Sequence, residues 1–281
     1  MAKASPVVQE QLDLPPIPRV DLFGVAIDAV RMDEAVQQVL SWIDAPFRDC
    51  RYVVTPNADH TVMLQEHEGL RAAYLDADMV LADGFPVIMA SRILGRRLPE
   101  RVAGSDLVPA VFAAGDEARP LRTFLLGAAP GVAERAAERI EAEWPGVDVV
   151  DTYSPPFGFE HDEVEQERML TRVRAAEPDI LVVGLGAPKQ EIWVHEQRKK
   201  IAAPVVLCVG ATIDFLAGER SRAPTWLRRI HLEWFYRLLG EPRRLFWRYA
   251  RDAWVFPQLV WREWRTLSDR EKADRKSYHS G

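Results

Sequence analysis

Apolar and polar positions along the chain follow two regimes. From residue 19 to about residue 217, short and almost uninterrupted apolar runs alternate with longer stretches in which apolar residues recur every three or four positions. "RYVV" precedes "ADHTVMLQEHEGLRAAYLD", "DMVL" precedes "FPVIMASRILG", "RTFLLG" precedes "PGVAERAAERIEAEW", and "DILVVGL" precedes "KQEIWVHEQRKKI". A strand that is apolar at every position has to be covered on both faces, and amphipathic helices supply the cover. The alternation therefore predicts an α/β core, a mostly parallel sheet with helices on both faces. Beyond residue 218 the strand-like runs stop. "SRAPTWLRRIHLEWFYRLLG" sets Leu227, Ile230, Trp234 and Leu238 at helical spacing and predicts an amphipathic helix ending at Gly240. Pro242, tolerated in a first turn, opens a second helix with Arg244, Arg248 and Arg251 along one side and Leu245, Tyr249 and Val255 along the other. The expected divisions are a disordered, proline-rich leader (1–18), the α/β core (19–218), a helical appendage (219–265) and a frayed tail (266–281).

Composition narrows the class. With 281 residues, 48% apolar and 28% charged, the chain can bury a full core. Cys50 and Cys208 lie far apart with no C-x-x-C and no ligand-like histidine spacing, which argues against a disulfide framework or a structural zinc and fits a reducing cytoplasm. The first residues have no continuous apolar stretch, and no later run is long enough to span a bilayer. Charge is uneven. Residues 219–265 carry eleven arginines against five acidic residues, net +6, whereas residues 1–218 are net −13. Six of the nine tryptophans also fall in the basic segment. Tryptophan with arginine suits the boundary between water and lipid headgroups, so the appendage is expected to associate with an anionic membrane surface. A helical bundle using tryptophan as core accounts for the same composition, and the two readings stay open here.

In open parallel sheets ligands bind beyond the carboxyl ends of the strands. Five strand ends carry polar or glycine-rich sequence: "TPNAD" after "RYVV", "ADG" after "MVL", "GAAPG" after "RTFLL", "GLGAPKQE" after "DILVV", and "GATIDF" after "PVVLCV". Each alone is explained by a turn or a helix cap, and capping is the commonest duty of an aspartate such as Asp83. Their convergence on one crevice is what points to a site.

"TPNAD", "ADGFPV", "RVAGSDL", "FLLGAAPG", "DILVVGLGAPKQE", "GATIDFLAG", "RAPTW" and "EWFYRLLGEPRRLFWRY", in this order, resemble the bacterial WecG/TagA/CpsF family of glycosyltransferases over residues 22 to about 250. The resemblance implies a Rossmann-like core and an inverting transferase, needing neither metal nor cofactor, that moves a sugar from a UDP-sugar to a polyprenyl-diphosphate-linked acceptor. It also implies a basic C-terminal appendage that touches the membrane, peripherally and on its cytoplasmic face, and completes the site. Asp83 matches the position of the base, with Thr55, Asn57, Arg101 and Gln190 as the other catalytic candidates. Gly84 allows close substrate approach. For the donor diphosphate and nucleoside the candidates are Gly127, Gly184, Gly186, Lys189, Glu191 and Asp214, the helix opening at Lys189 presenting backbone N–H groups to phosphate. Arg237, Arg244 and Arg248 of the appendage match positions that could meet the leaving diphosphate.

Asp76 and Asp78 spell the D-x-D with which other glycosyltransferases hold a metal, but they precede the apolar "MVL" and are expected at the opposite end of that strand from Asp83. They are rejected as ligands. Two other classes remain in play. A nucleotide-binding peripheral membrane module without activity would bind UDP and turn nothing over. A nicotinamide-dependent oxidoreductase would need a full dinucleotide fingerprint, and "GLGAP" lacks its third glycine. Nothing suggests nucleic acid as a partner, and homo-oligomerisation competing with membrane binding is an open expectation. The donor sugar, N-acetylmannosamine, its uronic acid or glucose, is not decided by any single residue.

Overall fold

The computed structural model describes residues 16–45, 49–219, 227, 233–240 and 242–278, the side chains of 233, 237, 242, 244 and 270–278 excepted. The strands are β1 (Arg19–Leu22), β2 (Val25–Asp28), β3 (Arg51–Val54), β4 (Met79–Val80), β5 (Leu121–Gly127), β6 (Val147–Tyr153), β7 (Ile180–Gly184) and β8 (Val205–Cys208). The helices are α1 (Met32–Ile43), α2 (Ala58–Met63), α3 (Glu68–Leu75), α4 (Phe85–Ile93), α5 (Gly104–Ala113), α6 (Val132–Glu143), α7 (Glu163–Ala176), α8 (Lys189–Gln197), α9 (Thr212–Leu216), α10 (Glu233–Gly240) and α11 (Pro242–Tyr278). The expected leader lies outside the described residues up to residue 15; residues 16–18 are irregular and run into β1.

Six strands form one parallel sheet in the order β4-β3-β8-β7-β5-β6, and β1 and β2 make a separate antiparallel hairpin. The apolar runs follow from two-sided burial. In β7, Ile180 and Val182 join Val53, Leu125, Val205 and Leu207 on one face, while Leu181 and Val183 join Val54, Phe124, Val206 and Cys208 on the other. Helices α1, α5, α6 and α9 cover the first face, and α2, α3, α4, α7 and α8 cover the second. A strand so placed has no polar side to offer. Edge strand β4 is blunted by Asp28 of the hairpin, whose buried carboxylate accepts from the Val80 N–H at 2.7 Å and pairs with Arg19 at 2.9 Å. Burial pushes the Asp28 pKa up against the pull of those partners. Cys50 and Cys208 are free and buried, and burial pushes the Cys50 thiol up to about 12.

The appendage packs on the core through one stripe of α11. Phe256 and Leu259 join the core, with the Phe256 ring 5.4 Å from that of Phe23, and Leu245 is buried as well. Trp247, Trp254 and Trp261, seven residues apart, fall on the opposite side and are 77%, 75% and 54% exposed. Tryptophan is therefore not the core of a terminal bundle, among the described residues of the appendage. Helix α11 continues to Tyr278. Between Gln258 and Tyr278 there is no glycine or proline, and the glutamate, lysine, arginine and alanine there favour helix without needing an apolar period.

Candidate active site

The carboxyl ends of β4, β3, β8 and β7 lie side by side, and the segments leaving them enclose a cavity of about 380 Å³. Thr55 and Asn57 reach it from β3, Asp83 from β4, Gly184, Gly186 and Gln190 from β7, and Asp214 from β8. Arg101 and Arg248 close it from the α4–α5 connection and from α11. A second cavity of about 360 Å³ lies between the start of α4 and the appendage, walled by Gly84, Phe85 and Pro86 on one side and Trp234, Tyr249, Ala253 and Phe256 on the other. Asn57, Asp59, Asp83, Arg101 and Arg248 border both cavities.

Asp83 stands at this junction for local reasons. Its N–H donates to the Pro56 carbonyl at 2.8 Å, tying the ends of β3 and β4 together. The N-cap of α4 is Gly84, at φ +102°, so capping is not the duty of the Asp83 carboxylate. The Val102 N–H donates to the Ala82 carbonyl at 2.9 Å and brings Arg101 alongside. Its guanidinium lies 3.5 Å from Asp83 Oδ1 and 2.6 Å from Asp106 Oδ2. The closer pair is with Asp106, so Arg101 is held by one carboxylate while it faces the other. Thr55 is buried in the wall. Asn57 does cap a helix, its Oδ1 accepting from the His60 N–H at 3.0 Å, and lines both cavities as it does so.

Around β7, three residues expected together part company, because a helix turns each successive side chain by about 100°. Gln190 faces the cavity, accepting from the Gly186 N–H at 3.2 Å and donating to Glu191 Oε1 at 2.8 Å. Lys189 turns away to an ion pair with Glu160 and does not line the cavity. Glu191 is fully buried beside Gln190, and its Oε2 has no hydrogen-bond partner among the described residues. Gly127 also stays out of the cavity: a Cβ there would strike the Gly184 backbone, so that glycine serves the close approach of β5 and β7. The side chains of Arg237 and Arg244 lie outside the described residues.

Other residues reach the site without having been singled out. Asp59 holds Arg251 at 2.8 Å and Arg248 at 3.6 Å, docking the appendage against α2. Beside them Asp252 is pushed up to about 6, first by burial and then by the Asp59 carboxylate. His60 lines the first cavity, and its Nδ1 lies 2.7 Å from the hydroxyl of buried Tyr74. Ser105 enters from the first turn of α5. The signal for Asp59 and His60 was their place directly after "TPNA"; the partners of Asp59 are invisible without the fold. At the other end of β4, Asp78 accepts from the Tyr52 N–H at 2.9 Å and pairs with Arg198 at 2.8 Å, and Asp76 pairs with the same arginine at 3.2 Å. Both carboxylates are thus bound to a guanidinium, away from Asp83. No described helix is long and apolar enough to cross a membrane.

The family described as "Glycosyl transferase WecG/TagA/CpsF family" matches residues 20–270. An N-acetylglucosaminyldiphosphoundecaprenol N-acetyl-beta-D-mannosaminyltransferase of Bacillus spizizenii is 30% identical over 253 residues, covering 89% of this chain and 92% of the relative. Proteins of the same name from Staphylococcus aureus strains MW2 and NCTC 8325 are 27% identical over 229 residues, 81% of this chain and 87% of theirs. With a parallel sheet whose strand ends carry the expected motifs, and a match running through the core and the appendage, this chain belongs to the WecG/TagA/CpsF family of glycosyl transferases.

Proposed function

We propose that the protein transfers a sugar from a UDP-sugar to a polyprenyl-diphosphate-linked acceptor, with inversion, in the synthesis of a cell-surface polysaccharide. The observation that carries this reading is the pair of cavities meeting at Asp83. A direct displacement needs the acceptor hydroxyl and the leaving diphosphate on opposite sides of the anomeric carbon, with the base beside the hydroxyl. The polar cavity, floored by glycines and backbone, suits the sugar nucleotide; the cavity against α11 suits the acceptor sugar and the start of its lipid. In the step, the acceptor hydroxyl oxygen bonds to the anomeric carbon as the bond from that carbon to the phosphate oxygen breaks. The hydroxyl proton passes to the Asp83 carboxylate, and the electron pair leaves with UDP. Arg248, bordering both cavities, is placed to meet the charge that grows on the departing diphosphate. Arg101 orients Asp83 from its anchorage on Asp106.

The names of the relatives put N-acetylmannosamine first among donors to assay, and an N-acetylglucosaminyl-diphospho-undecaprenol first among acceptors. The outward tryptophans of α11 support a peripheral position on the cytoplasmic membrane face, where such an acceptor is met. The test is turnover of UDP-sugars with a short-chain acceptor by the parent and by Asp83→Asn. Turnover should fall by about 10²-fold or more, with UDP affinity little changed. Near-normal turnover in the variant removes Asp83 as the base; a parent that binds UDP and transfers nothing supports the non-catalytic module instead.

A further inference from the structure

Beyond Phe85, which walls the second cavity, helix α4 carries a surface that borders neither cavity of the site. Val87, Ile88, Ala90 and Ser91 are buried against the core. On the other side Phe85, Met89 and Ile93, spaced by four, form an apolar stripe, with Phe85 37% and Ile93 59% exposed. Beside it lie the exposed Arg92 and Arg97, which border an open hollow of about 540 Å³ with Ala29, Leu98 and Pro99. Neither arginine has an ion-pair partner among the described residues, and no acidic side chain lines the hollow. The helix meets α11 near both its ends: Phe85 and Pro86 face Ala253 and Phe256 across the second cavity, and beyond its far end Arg96 pairs with Glu263 at 3.6 Å.

We infer that α4 is a second membrane-contacting limb, seating its Phe85–Met89–Ile93 stripe and the Arg92 and Arg97 side chains on an anionic lipid surface next to α11, so that the acceptor cavity lies between two lipid-facing helices. The inference rests on the proposed lipid-linked acceptor and adds to the appendage a contact made by the core itself. Charge selects the occupant. Residues 1–218 are net −13, so an exposed pair of arginines with no carboxylate facing them is a local reversal, suited to lipid phosphate. A second copy placing the same face on this one would set arginines against arginines, with no acidic side chain lining the hollow to meet them. An apolar stripe flanked by arginine is also what inserts at the headgroup boundary, the chain sinking its apolar residues while guanidinium meets phosphate. Two limbs at the rim of one cavity would let a polyprenyl acceptor enter from the bilayer plane without leaving it.

The experiment measures flotation of the full-length protein with vesicles of phosphatidylcholine alone and of phosphatidylcholine with phosphatidylglycerol, together with turnover on a detergent-free, water-soluble acceptor. Arg92→Gln and Arg97→Gln should each weaken binding to the anionic vesicles by about 5-fold, with the effect fading at high salt. Ile93→Glu should weaken it by about 10-fold or more. Soluble-acceptor turnover and thermal unfolding should match the parent, because none of the three residues borders either cavity of the site. Unchanged vesicle binding in all three variants, with loss on Trp254→Ala and Trp261→Ala, leaves docking to α11 alone and overturns the inference while sparing the function. A parent that binds no vesicles overturns both the inference and the membrane reading of the appendage. A parent dimer that Ile93→Glu converts to monomer, with vesicle binding intact, assigns the face to a second copy and overturns the inference as well.

Discussion

Replacing Asp252 by asparagine should make the protein more stable at neutral pH, and the size of the gain can be worked out. Asp252 is 7% exposed on the inner side of α11. It faces Asp59 on α2, with Arg248 and Arg251 on its own helix. Burial is the larger cause of its raised pKa, the Asp59 carboxylate the next, and the arginines only partly offset them, leaving it at about 6 against an ordinary 3.8. Below the ordinary value the carboxyl is neutral in the folded and the unfolded chain, and there is no penalty. Between 3.8 and about 6 the folded chain keeps a proton that the unfolded chain has released, so stability falls as pH rises. At about 1.4 kcal/mol per pH unit, the ionised group costs about 3 kcal/mol above pH 6. Asparagine keeps the shape and removes the charge. Urea unfolding of parent and Asp252→Asn at about pH 4.5 and about pH 8 should show the variant's relative stability rising by about 2 kcal/mol between the two, that being the part of the penalty developed in this window. Comparing the two proteins at each pH cancels the carboxylates that are not coupled to Asp252. If the variant instead loses ground at pH 8, the charged form of Asp252 is a net stabilising partner of Arg251, and the reasoning from burial fails.

Arg248→Ala should lower kcat on a soluble acceptor by about 10-fold to 100-fold, the range of a lost charge-assisted contact made in the transition state; a loss confined to vesicle binding would make Arg248 an anchor. The same assay applied to Arg237→Ala and Arg244→Ala tells whether either shares that duty. Transfer should survive excess chelator, since Asp76 and Asp78 are held by Arg198 away from Asp83; restoration of a chelated enzyme by Mn²⁺ or Mg²⁺ would refute this. Gly104→Ala should destabilise the fold by about 1–3 kcal/mol in denaturant titration, because a Cβ there would lie 2.7 Å from Val209 Cγ1 where α5 meets the end of β8; an unchanged midpoint would mean that this contact yields freely.

Element identity could be read from the chain because burial is periodic and local. Strands such as "ILVV" and "VVLC" are apolar throughout since both faces are covered, and that pattern exists before any partner strand is chosen. The same holds for the strand-end motifs, picked out by where strands stop; Thr55, Asn57, Asp83, Gly186 and Asp214, singled out within them with the help of the family resemblance, all line the cavity. Strand order was not readable, because β3 pairs with β4 and β8 through backbone groups that every residue carries. Direction was not readable either. Lys189, Gln190 and Glu191 are equivalent as a polar triplet, and only the packing of α8 sends one into the cavity, one to Glu160 and one into the core. Whether the appendage's tryptophans face inward or outward depends on which stripe of α11 meets Phe23 and α2, and composition is the same for both answers. The Asp59–Arg251 pair joins residues 192 positions apart. Charge and apolar period are properties of a segment and survive in the sequence; which segments meet is a property of the folded whole, set by the packing of surfaces that are far apart along the chain.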